Sequence, residues 1–117
     1  MRVLTLYKPT QNKMPTPTPE HMAKMGRFIE ELTKSGVLLA TEGRKAGGTN
    51  LRVRRSGGEF TVTDGPFTEA KELIGGFALL QVKSKEELIE LTKRFLEITG
   101  DGESEIIEVF GPSDLAQ

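Results

Sequence analysis

Asp64, Lys71, Glu72 and Glu108 carry the charges best suited to chemistry in this chain. A carboxylate held away from bulk water can serve as a general base, and a lysine beside it can steady negative charge as it develops. The first three lie in one run, Asp64-Gly65-Pro66-Phe67-Thr68-Glu69-Ala70-Lys71-Glu72, which leads into Gly75-Gly76-Phe77. Gly65 can take a positive φ, Pro66 fixes its own φ, and Asp64 can accept hydrogen bonds from the backbone just after it. Such a run reads as a tightly shaped loop that presents charge. Lys8, Glu42, Phe67 and Phe77 complete the candidate set as residues that would contact a substrate. The competing reading is structural: the same charges could form an ion-paired network that holds the loop.

Other chemistries find little support. The chain has no cysteine, which removes disulfides, thiolate nucleophiles and cysteine-based metal sites together. Its single histidine, His21, falls in the first turn of a predicted helix, where solvent exposure is the ordinary outcome. No metal and no cofactor are expected. The glycine pairs do not form a phosphate loop, because no Gly-x-x-x-x-Gly-Lys-Ser/Thr occurs. Arg52, Arg54 and Arg55 read as a solvated face, with an anion-binding rim as the alternative. A net charge of -1 argues against nucleic acid as a partner.

These residues need elements to position them, and 117 residues allow one domain with a single core. Residues 2–8 read as a strand. Thr18 caps a helix starting at Pro19 and running to about Lys34, with Met22, Met25, Ile29 and Leu32 as its apolar stripe and Phe28 beside it. Residues 37–44 alternate as a second strand. Leu51–Val53 and Phe60–Val62 flank Ser56-Gly57-Gly58 as a β-hairpin. Residues 73–83 form the next strand, and Ser84 with Glu87 opens a second helix carrying Leu88, Leu91, Phe95 and Ile98. Residues 104–110 are the last strand. The domain is expected to span 1–112, with 113–117 a loose tail. No apolar run approaches the roughly 20 residues needed to span a bilayer, and the start does not read as a signal peptide, so a cytoplasmic protein is expected.

Strand–helix–strand given twice, with a hairpin between, predicts an α+β ferredoxin-like βαββαβ sandwich with both helices on one face of an antiparallel sheet. Alternation puts Ala78, Leu80 and Val82 on one face of their strand and Phe77 and Leu79 on the other. In the last strand Ile107 and Val109 oppose Ile106, Glu108 and Phe110, the latter group assigned to the face away from the helices. Glu42 is grouped with Leu38 and Ala40. Two helices cover one face only, so a second apolar face needs a cover, and another copy of the chain is the expected one. A homodimer follows. Its interface would enclose an acidic cleft near Lys8 and Glu108.

Asp-Gly-Pro-Phe, the Glu-x-Lys-Glu after it and Gly-Gly-Phe resemble the signature of the DGPF-domain proteins, a branch of the YCII-related family. The resemblance covers most of the chain. It implies the same ferredoxin-like fold, paired as a dimeric α/β barrel. It also implies that Asp64, Lys71 and Glu72 belong to a shared cleft, with Glu108 at an acidic position in the last strand. Relatives discussed in terms of a His-Asp pair offer no position that His21 matches. The family implies a small-molecule-binding protein or enzyme of unassigned reaction. The alternative it suggests is a non-catalytic regulatory or interaction protein linked to extracytoplasmic-function sigma-factor systems.

Overall fold

A computed structural model describes residues 1–10, 17–45, 47–65 and 74–115. The elements run β1 (Arg2–Pro9), α1 (Pro19–Lys34), β2 (Leu38–Gly43), β3 (Leu51–Ser56), β4 (Glu59–Asp64), β5 (Gly76–Gln81), α2 (Lys85–Thr99), β6 (Gly102–Val109) and α3 (Pro112–Leu115). Four strands form one antiparallel sheet in the order β2-β5-β1-β6, and β3 and β4 pair separately as a hairpin. Setting the hairpin aside, β1-α1-β2 and β5-α2-β6 give the element order and strand order expected of a ferredoxin-like sandwich.

Local chemistry explains where the helices start. Thr18 stays extended, its hydroxyl accepts from the His21 N–H at 3.1 Å, and Pro19 fills the first helical position, where no N–H is needed. Ser84 caps α2 in the same way, accepting from the Glu87 N–H at 3.1 Å. The Glu87 carboxylate reaches back to accept from the Lys83 N–H at 3.2 Å, one residue short of the usual capping-box partner.

Val3, Leu80, Val82 and Leu88 form the buried core, between the sheet and the helix layer. Each such side chain removed from water contributes roughly 1.5–3 kcal/mol. Phe28 and Leu32 are the buried residues of α1, and Met22 is 62% exposed. The stripe therefore centres on Phe28 rather than passing beside it, and residues 19–24 at the start of α1 are all exposed. Between the helices, Arg94 donates to both Glu31 oxygens, at 2.7 and 3.0 Å, while its guanidinium lies 4.8 Å from the centre of the Phe28 ring.

Pairing register decides which residue lies on which face. Val3 lies opposite Leu80 on one side and Glu108 on the other, and Thr5 lies between Ala78 and Ile106. Glu108 and Ile106 therefore belong to the helix-covered face, which corrects the assignment made from alternation alone. Ile106 packs against the core, and Glu108 is exposed. The face away from α1 and α2 carries Leu4 between Leu79 and Ile107, and Leu6 between Phe77 and Glu105. A β-bulge between Leu38 and Ala40 makes a second correction: Leu38 pairs with Leu80 on the helix side, whereas Ala40 and Glu42 pair with Leu79 and Phe77 on the open side.

Two further boundaries differ from expectation. β5 begins at Gly76 rather than at residue 73, and Pro112–Leu115 form a helical turn in which the Gly111 N–H donates to Asp114 Oδ2 at 2.8 Å. Gly76 marks a close backbone approach. A Cβ there would stand 2.9 Å from the Glu42 carbonyl oxygen.

Candidate functional site

One end of the open face gathers several of the candidate residues. Across the sheet, a single row runs Glu42, Phe77, Leu6, Glu105 from β2 to β6. Lys8, one step further along β1, places its Nζ 2.7 Å from Glu105 Oε2. Lys8 is half-buried, Glu105 and Glu42 are exposed, and Phe77 is 39% exposed. The row thus combines carboxylates, a lysine and an aromatic edge on one solvent-accessible surface. That set can hold a small polar ligand by charge-assisted hydrogen bonds and ring contact. Glu105 was not among the residues singled out from sequence. The signal was present in its alternation with Ile107, but Glu108 drew attention because its face was misassigned.

The hairpin base joins this same end of the sheet through backbone groups. Gly75 donates to the Tyr7 carbonyl at 2.7 Å, and Arg44 donates to the Gly75 carbonyl at 2.8 Å. The Arg44 side chain bonds Asn50 Oδ1 at 3.2 Å, and Gly65 donates to the Asn50 carbonyl at 2.8 Å. Asp64 is the last residue of β4, opposite Leu51 and exposed, so it sits within the ladder rather than in the loop beyond it.

The expected cluster is only partly assembled. Glu108 pairs with Val3, five residues along β1 from Lys8 and so about 17 Å away at the usual strand rise, on the other sheet face. It does not join Lys8, Glu42 or Phe77. Phe67, Lys71 and Glu72 lie outside the described residues. Among the described residues no group of three or more His, Cys, Asp or Glu could hold a metal ion. His21 is exposed and contributes only its backbone N–H to the α1 cap. Arg52 and Arg54 share the outer hairpin face with Thr61 and Thr63, and Arg55 lies on the inner one with its guanidinium 6.0 Å from the Phe60 ring centre. No helix among the described residues is long and apolar enough to cross a membrane.

The architecture is that of an α+β protein with a four-stranded antiparallel sheet, one helix-covered face and one open face. The model of the YCII-related domain matches residues 1–110, and the chain belongs to the YCII-related family. No curated protein matches it. Among solved structures it is similar to the PII-like protein CutA from Nostoc sp. PCC 7120 in apo form, at 16% identity and a TM-score of 0.35, over 93% of this chain and 81% of that one.

Proposed function

We propose that the protein is a homodimer that binds a small molecule between paired sheet faces, in the manner of a dimeric α/β barrel. The ligand would occupy the end of the face that bears Lys8, Glu42, Phe77 and Glu105. The row from Glu42 to Glu105 carries this reading, because it sets charged groups beside an exposed aromatic ring on the face that α1 and α2 leave open. Leu4, Leu6, Phe77, Leu79 and Ile107 on that face favour a cover, and a second copy presents a matching apolar surface. Asp64, tied to the same end through the hairpin base, would stand at the cleft's mouth, and Lys71 and Glu72 stay members of the cleft by family resemblance alone. Within it a carboxylate accepts a ligand proton or N–H, and Lys8 balances ligand anionic charge. No reaction is assigned.

Sedimentation and a binding screen test this together. The native chain is expected to sediment as a dimer at micromolar concentration, and Leu79→Lys as a folded monomer, because a lysine ammonium buried at the interface between Leu4 and Ala40 has no partner across either strand. A panel of small aromatic acids and lactones, followed by thermal shift, should contain binders whose effect is lost in Lys8→Met and Glu42→Gln. A native monomer, or binding indifferent to both substitutions, would sink the proposal. A second reading, a non-catalytic interaction protein, draws on the exposed apolar hairpin face; a link to a sigma-factor system rests on the family resemblance alone. Under it the hairpin, not the Glu42 row, would be the surface sensitive to mutation.

A further inference from the structure

The β3–β4 hairpin stands away from the body of the molecule. Every residue of both strands is exposed, and the radius of gyration is 16.4 Å, against about 13 Å for a compact chain of this length. Its two faces differ sharply. The inner face carries the rows Leu51–Asp64, Val53–Val62 and Arg55–Phe60, with Val53, Phe60 and Val62 at 64%, 70% and 63% exposure. A two-stranded hairpin with an apolar face is not stable alone in water, so this face calls for a partner.

The open face of the sheet offers a surface of the same length and opposite charge order. Its rows on β1 and β6 are Arg2–Val109, Leu4–Ile107 and Leu6–Glu105. On the hairpin, the anionic row with Asp64 and the cationic row with Arg55 are separated by an apolar row. On the sheet, the cationic row with Arg2 and the anionic row with Glu105 are separated by an apolar row in the same way. In both cases the charged rows lie four residues apart along a strand, about 14 Å. Laid on the sheet, the hairpin brings Asp64 to Arg2 and Arg55 to Glu105 while Val53 and Val62 cover Leu4 and Ile107.

We propose that the hairpin is an exchanged arm whose inner face packs on the β1–β6 half of the open face of a second copy of this chain. The β2–β5 half remains for the facing sheet. Arg55 then shares Glu105 with Lys8, so the arm of one copy reaches the ligand end of the other. The inference rests on the homodimer reading and adds which segment crosses between copies.

The absence of native cysteine makes the contact directly testable. Val62→Cys and Ile107→Cys are introduced into separate chains, mixed and oxidised, and the linked peptides are identified by mass spectrometry. A bond joining positions 62 and 107 of different chains is expected. In parallel, Arg55→Glu should raise the dimer dissociation constant about ten-fold or more, and Glu105→Arg added to it should restore much of the loss. Circular dichroism of each variant checks the fold. If the native chain is a dimer but no such bond forms and Arg55→Glu leaves the constant unchanged, the arm is refuted while the homodimer stands. A chain carrying both cysteine substitutions that closes the bond within itself places the hairpin on its own sheet and also refutes the exchange. A native monomer removes the homodimer and the arm together.

Discussion

Lys8 and Glu105 meet at 2.7 Å on the open sheet face, one strand apart and one row out of step, since Lys8 pairs directly with Glu103. Because both side chains retain solvent contact, the pair is screened. Lys8→Met is expected to change stability by no more than about 1 kcal/mol in chemical denaturation. A loss several times larger would mean the lysine supports the fold rather than a ligand.

Gly102 faces a tighter constraint. A Cβ at that position would stand 2.7 Å from both the Lys8 carbonyl oxygen and Tyr7 Cε1. Tyr7 cannot easily withdraw, because its ring is held edge-on to Phe95 at 5.4 Å between centroids. Gly102→Ala should destabilise by about 1–3 kcal/mol, the usual range for overpacking. An unchanged urea midpoint would show that both Tyr7 and the Lys8 carbonyl have room to move.

Acid stability should depend in part on Glu31. The hydrogen bonds from Arg94 hold its carboxyl below the ordinary value of 4.5. A folded-state pKa below the unfolded one gives stability that is present above about pH 4.5 and is lost as pH falls through the lower, folded value. Melting temperature measured from pH 7 downward should therefore fall less steeply for Glu31→Gln than for the native chain. Parallel curves would show that the α1–α2 pair carries no pH dependence.

Leu88 is the α2 side chain of the buried cluster. Leu88→Ala leaves a void against Val3, Leu80 and Val82, and a loss of about 2–5 kcal/mol is expected on denaturation. By contrast Met22→Ala, in the exposed start of α1, should stay within about 0.5 kcal/mol. Equal effects would contradict the centring of the α1 stripe on Phe28.

Local signals made much of the fold readable from sequence. Thr18-Pro19 and Ser84 mark the helix starts because capping is decided by neighbouring atoms. Gly57-Gly58 marks the hairpin turn, both residues taking positive φ, at 58° and 83°. Two strand–helix–strand units were enough to anticipate an α+β fold built on an antiparallel sheet. The faces of Glu42 and Glu108 were not readable, for different physical reasons. Residues 106, 107, 109 and 110 are apolar on both parities, so alternation has no fixed origin until Val3 is seen opposite Glu108. At Glu42 the bulge moves the parity by one residue, and no residue type between Leu38 and Ala40 announces it. The helical turn at Pro112–Leu115 was missed because it depends on one side chain, Asp114, bonding back to Gly111.

The bulge has one more effect, at the margin of the sheet. β2 and β6 are its outer strands, where unpaired backbone groups could template another chain. β2 carries a bulge between Leu38 and Ala40 that breaks its regular register, and β6 presents Glu103, Glu105 and Glu108, which repel a second strand of the same sequence. Neither margin is fit to extend the sheet from molecule to molecule. An edge so arranged disfavours growth into open-ended fibres, the outcome of head-to-tail contacts that do not close.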